Sequence, residues 1–342
     1  MEKGEGAKAL ADYALLVLSL GIILAGAEGF TNAIEWLGKK LDLGAGAVGS
    51  ILAAVGTALP ETMIPIIAFV SGAQEGELTE EVGIGAILGA PFMLATLALF
   101  ISGLAVLVFR RHNSPLKIDS QVIKRDLSFF LIVYSLAVLA SFLAGPWKTG
   151  VAVLLPVSYL WYVVRTVRSS KGQAQQSRIK RLYLAKRVYD PSLGLVLAQV
   201  VLALATIVWG AHGFVHAVET VALAKGIPVF VLSLIITPIA TELPEKFNSV
   251  LWLRQGKDTL ALGNITGAMV FQSSIIPALG IMFTPWKLEF LAWWSAILAL
   301  GAAFVPYYSL RRWGRILPSS LLVGGGFYLV FILIVLRVPL LR

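Results

Sequence analysis

Gly26-Ala27-Glu28-Gly29-Phe30-Thr31-Asn32-Ala33-Ile34-Glu35 and Gly210-Ala211-His212-Gly213-Phe214-Val215-His216-Ala217-Val218-Glu219 are identical at six of ten positions, at an offset of 184. The same offset, without a gap, carries Thr57-Ala58-Leu59-Pro60-Glu61 onto Thr241-Glu242-Leu243-Pro244-Glu245. Two separate matches at one offset mark an internal repeat. Both copies sit in apolar surroundings, so the meaning of the repeat depends on how often the chain crosses a membrane between them.

The chain has 342 residues, of which 58% are hydrophobic and 14% charged. A soluble domain carries about a quarter charged residues, so this is the composition of an integral membrane protein. The lack of cysteine excludes a disulfide-stapled protein, a zinc-cysteine site and a thiol enzyme. A membrane helix needs about 20 mostly apolar residues. Ten such spans are predicted, roughly over 9–37, 44–73, 82–109, 127–145, 148–167, 191–220, 226–253, 259–283, 288–309 and 316–338. The runs are continuously apolar rather than alternating, which excludes a β-barrel reading. The first span is too long, and its flank too mixed in charge, for a cleaved signal peptide.

The net charge of +9 has a location. The loops after spans 1, 3, 5, 7 and 9 hold 20 of the 28 Lys and Arg. Cationic loops stay cytoplasmic, which predicts a multi-pass protein of the cell membrane with both termini outside. The long basic loop between spans 5 and 6 reads as an anchor beside anionic lipid rather than a nucleic-acid patch. The chain then divides into a first half over 1–146 (spans 1–4, to the start of span 5), span 5 and the basic loop over 147–189, and a second half over 190–342 (spans 6–10).

Five spans per copy is an odd number, so the second copy enters the bilayer upside down. The predicted fold is therefore all-α, ten transmembrane helices as two inverted five-helix repeats, a transporter design with its site near the midplane where the repeats meet. Glu61 and Glu245 fall inside spans 2 and 7. A carboxylate there is costly unless it pairs, binds a cation or faces water. Pro60 and Pro244 break the helices beside them and free carbonyl oxygens around Thr57 and Thr241. Carboxylate, carbonyl and hydroxyl form a hard-oxygen set suited to Ca²⁺ or Na⁺.

Gly56-Thr57-Ala58-Leu59-Pro60-Glu61 and Thr241-Glu242-Leu243-Pro244-Glu245 resemble the two alpha-repeat motifs of the calcium/cation antiporter superfamily, which includes sodium/calcium and proton/calcium exchangers. The second part of each family repeat is similar to Gly85-Ala86-Ile87-Leu88-Gly89-Ala90-Pro91 and Gly263-Asn264-Ile265-Thr266-Gly267-Ala268-Met269. The resemblance implies ion ligands on spans 2, 3, 7 and 8, with spans 1 and 6 sliding to alternate access. Ala58 and Glu242 stand where sodium/calcium members often have Ser, Ala90 and Ala268 replace later Ser positions, and Leu94 and Gln272 replace an Asn or Asp. Gln272 is similar to the residue in proton/calcium exchangers.

The expected cation site is Glu61, Glu245 and Glu242, with Thr57, Thr241, Asn264 and Gln272 as oxygen ligands. Glu61 and Glu245 would hold the transported Ca²⁺. Clustered carboxylates hold protons more tightly, which favours H⁺ over Na⁺ as counter-ion. Lys246 is either a structural partner of Glu242 or Glu28, or an internal cation competing with the transported one. Glu28 and His212 occupy equivalent positions on spans 1 and 6 and are candidates for proton coupling or gating, or for a packed structural role. The expectation is a secondary antiporter exporting Ca²⁺ against H⁺, with inorganic cations and the bilayer as its partners. The alternatives are Na⁺/Ca²⁺ exchange or carriage of Mg²⁺ or Mn²⁺. A channel and a non-transporting scaffold are further alternatives. No phosphate-binding Gly-Lys loop is present, so no nucleotide or other cofactor is expected. An intramembrane metalloprotease would need His-Glu-x-x-His, which the His at 112, 212 and 216 do not supply, so the chain is not expected to be an enzyme.

Overall fold

In a computed structural model of the chain, residues 2–58, 62, 77–110, 115–170, 179–224 and 242–337 are described. They form ten helices and no strand. These are α1 (Glu2–Lys40), α2 (Ala45–Thr57), α3 (Glu77–Met93 continuing through Leu94–Ala98 and Leu99–Arg110), α4 (Ser120–Leu139), α5 (Gly145–Ser170), α6 (Leu193–Ala224), α7 (Leu243–Arg254), α8 (Asp258–Phe283), α9 (Phe290–Trp313) and α10 (Pro318–Arg337). Each falls on one of the ten expected spans. Seven of the described helices are long and apolar enough to cross a bilayer by themselves.

Three departures have physical causes. α2 and α7 are short, because α2 ends at Thr57 and α7 begins at Leu243. Pro244 sits in the first turn of α7, where the missing N–H would have had no partner anyway. α4 begins seven residues before the expected span, because the Asp119 carboxylate caps it by accepting from the N–H groups of Gln121 and Val122. Trp286 stands between spans 8 and 9, a position that suits an interfacial aromatic belt, but it is buried, and its indole N–H donates to the Ala137 carbonyl at 2.9 Å.

α8 is the centre of the molecule and is buried along nearly its whole length. It packs on α2, α3, α4, α5 and α7. A Cβ on Gly267 of α8 would lie 2.3 Å from the Ser50 carbonyl oxygen, so α2 and α8 meet backbone to backbone. α2 is opened into a π-helical stretch over Val48–Ala53 at this contact, a distortion that accompanies functional sites. A second π-helical stretch, Leu94–Ala98 in α3, follows Pro91, whose ring disturbs the regular ladder.

α1 and α6 pair along each other, and their crossing displays the repeat. A Cβ on Gly26 would meet Ile207 Cγ1 at 2.9 Å, and a Cβ on Gly210 would meet Ile23 Cγ1 at 3.0 Å. The offset of 184 that relates Gly26 to Gly210 also relates Ile23 to Ile207. The contact is reciprocal, as a two-fold axis requires.

Candidate functional site

α7 carries a polar stripe into the centre. Glu242, Glu245, Lys246, Asn248 and Ser249 are all buried, at the three- and four-residue spacings of one helix face. Glu245 lies in the first turn of α7, where the helix dipole favours an anion. Neither of its carboxyl oxygens has a hydrogen-bond partner among the described residues. Glu242 Oε2 accepts from Lys246 Nζ at 3.0 Å, while Oε1 has no partner among the described residues. Of the two roles open to Lys246, the structure shows the ion pair with Glu242, one turn away.

The oxygens facing this stripe are set by a chain of donors. Ser249 Oγ donates to the Ala261 carbonyl at 3.0 Å, so it has only lone pairs left for Asn264. Asn264 Nδ2 therefore donates to Ser249 Oγ at 3.3 Å and to the Glu245 carbonyl at 3.2 Å. This turns Asn264 Oδ1 toward Thr57. The Thr57 hydroxyl proton goes to the Ala53 carbonyl at 2.9 Å, which leaves Thr57 Oγ1 and Asn264 Oδ1 facing each other at 3.4 Å. Six oxygens at about 2.4 Å from Ca²⁺ place neighbouring ligands about 3.4 Å apart. Gln272 is buried and both its amide atoms lack partners among the described residues. It stands eight residues, or about 12 Å, further along α8 than Asn264.

Glu61 and Thr241 lie outside the described residues, as does the side chain of His212. Among the described residues no three His, Cys, Asp or Glu side chains gather as a metal cluster. Glu28 is on the outer side of α1, where its carboxylate accepts from the Tyr183 hydroxyl at 2.8 Å. Burial, and then the Glu28 carboxylate, push the Tyr183 phenol up to about 12, so it stays the donor at physiological pH.

The comparisons with known proteins agree with this architecture. A family model described as "Sodium/calcium exchanger protein" matches residues 12–168 and 195–338. The chain belongs to the sodium/calcium exchanger protein family. Inner membrane protein YrbG of Escherichia coli K12 is 26% identical over 325 residues, covering 92% of this chain and 94% of YrbG. The sodium/calcium exchanger MaX1 of Methanosarcina acetivorans is 23% identical over 308 residues, covering 80% of this chain and 83% of MaX1. Among solved structures, the sodium-calcium exchanger NCX_Mj soaked with Na⁺ and Sr²⁺ matches with a TM-score of 0.73 at 18% identity, covering 95% of this chain and 98% of that one. This likeness fixes the fold: an integral, multi-pass membrane protein of inverted repeats.

Several buried residues of this family member escaped the sequence reading. Asn248 Oδ1 lies 2.6 Å from the Thr31 hydroxyl of α1, which ties α1 to the stripe on α7. Asp126 of α4 is buried and accepts from three hydroxyls, Ser50 at 2.5 Å, Tyr162 at 2.8 Å and Thr266 at 3.0 Å, with the Arg125 guanidinium at 3.3 Å. It therefore fastens α2, α5 and α8 to α4, through Ser50 two turns before Thr57 and Thr266 two residues after Asn264. Asp126 falls one residue before the expected span 4, and only its three hydroxyl partners, distant in sequence, reveal its role.

Proposed function

We propose that the chain is a secondary active antiporter that exports Ca²⁺ in exchange for H⁺ through one alternating-access site. The observation that carries this reading is Glu245, a buried carboxyl whose two oxygens have no partner among the described residues, next to the Thr57–Asn264 oxygen pair. A buried charge without a partner is costly. A proton or a metal ion removes that cost, and each excludes the other because both use the same lone pairs. Glu61, which the repeat relates to Glu245, would complete a pair of carboxylates that matches the charge of Ca²⁺. Glu242 is already matched by Lys246 and contributes no net charge. The basic loops orient the protein with both termini outside.

Exchange of Na⁺ for Ca²⁺ on the same site is the second reading. It is favoured by the names of MaX1 and NCX_Mj. ⁴⁵Ca²⁺ uptake into proteoliposomes, with pH and Na⁺ gradients imposed separately, separates the two. Uptake driven by the pH gradient alone is expected, and uptake driven by Na⁺ and indifferent to pH replaces H⁺ with Na⁺. Glu245→Gln is expected to abolish ⁴⁵Ca²⁺ flux, and full flux in that variant ends the central-site reading.

A further inference from the structure

The face that carries the basic loops contains a recess of about 360 Å³ between the start of α2, the start of α4, the end of α5 and the start of α8. It lies away from the Glu245 site, and its lining is rich in donors. Arg125 and Arg165 both border it. Arg125 is matched by Asp126, but its Nη1 reaches into the lining, 3.4 Å from Ser169 Oγ. Arg165 is exposed, lies over the Trp161 ring with its guanidinium carbon 5.2 Å from the centroid, and has no carboxylate at ion-pair distance among the described residues.

Two further features point to an anion. The N-cap residue of α2, Gly44, brings no side-chain cap of its own, and the positive end of that helix borders the recess. Thr166 lines the recess, is 1% exposed, and its hydroxyl has no partner among the described residues. A buried hydroxyl left unpaired is costly, and an occupant with acceptor oxygens would recover that cost. Asp119 is the only acidic residue among the described residues of the lining, and its Oδ1 is already used by the N–H groups of Gln121 at 2.9 Å and Val122 at 3.2 Å. Thr259 Oγ1 accepts from the Asp119 N–H at 2.8 Å, which leaves its own proton to donate.

We propose that this recess is a binding site for a phosphate group, held by Arg165, Arg125 and the Thr166 hydroxyl at the start of α2. Guanidinium groups and a helix N-terminus match the geometry of a tetrahedral oxyanion. The group is supplied either by an anionic phospholipid headgroup at the bilayer edge or by soluble phosphate. An occupant there ties the start of α2 to α4, α5 and α8, the same helices that Asp126 joins.

The test uses the full chain, purified and delipidated in neutral detergent, with thermal unfolding as the readout. One arm titrates inorganic phosphate against chloride at equal ionic strength. The other titrates phosphatidylglycerol against phosphatidylcholine. A saturable upward shift is expected in at least one arm, and the arm that responds names the source. Arg165→Gln and Thr166→Val are each expected to weaken the response at least tenfold. Thr166→Val keeps volume and charge, so without either probe it should unfold at no lower temperature than the parent. Arg168→Gln removes a charge from the same helix outside the recess and is expected to leave the titration unchanged. A response in neither arm, or an equal loss in Arg168→Gln, overturns the site in favour of diffuse attraction to a basic surface.

Discussion

The end of α2 and the start of α7 are the same piece of sequence twice, and they solve one packing position in two ways. The offset of 184 places Ala58 opposite Glu242 and Thr62 opposite Lys246. In the first copy the Thr62 hydroxyl donates back to the Ala58 carbonyl at 2.7 Å. In the second, Lys246 Nζ donates back to the Glu242 carboxylate at 3.0 Å. Both are links between a residue and the one four positions earlier. One is neutral, and the other is an ion pair whose charges cancel. The second copy has therefore gained a buried carboxylate and its counter-charge together, and the formal charge of the stripe stays that of Glu245 alone.

The largest effect should come from splitting the pair. Lys246→Met leaves Glu242 buried without its counter-charge, and removing one partner of a buried ion pair costs about 3–5 kcal/mol. A correspondingly large drop in the thermal midpoint of the detergent-solubilised protein is expected, and an unchanged midpoint would mean that Glu242 is not held as a charge. Thr57→Val removes one of the two facing oxygens while keeping the side-chain volume. The loss of one ligand, about 1.4 kcal/mol, corresponds to about tenfold weaker Ca²⁺ binding by isothermal titration. Unaltered affinity would remove Thr57 from the ligand set. Thr62→Val deletes the neutral link, worth about 1 kcal/mol, and should lower the unfolding midpoint slightly without changing flux. The smallest effect is the most informative. Glu242→Ala with Lys246→Thr rebuilds the first copy's arrangement inside the second, and buried ion pairs are often replaced at a net cost of about zero. The double variant should thus recover the stability that Lys246→Met loses. If it is as unstable as Lys246→Met, the pair is more than compensation for its own burial.

How much of this was legible beforehand depends on the range of the interactions involved. The two inverted halves could be read from hydropathy and from the repeated decapeptide, because both are written along the chain. Buried positions for Thr57, Glu242, Glu245, Asn264 and Gln272 followed from polar residues interrupting apolar spans. The shortness of α2 and α7 did not follow from the count of apolar residues, although Pro60 and Pro244 marked the places. Asp126 was lost because its partners Ser50, Tyr162 and Thr266 lie 76, 36 and 140 residues away. Lys246 could be narrowed to a few partners by helical spacing, but only the fold selects Glu242 over Glu28, whose carboxylate is held by Tyr183.

The reciprocal crossing of α1 and α6 has a consequence for how such a chain can diverge. Two identical five-helix chains packed about a two-fold axis would make the Gly26–Ile207 contact and the Gly210–Ile23 contact from a single pair of residues, so every substitution would enter the interface twice. Carried on one polypeptide, each face changes by itself. The next turn of the crossing shows the result: a Cβ on Gly29 would make an ordinary 3.7 Å contact with Ala203 Cβ, whereas a Cβ on Gly213 would clash with Ser19 Oγ at 2.6 Å. The axis survives in the backbone while the chemistry on its two sides has drifted apart, and the acid–base pair on α7 is the furthest step of that drift.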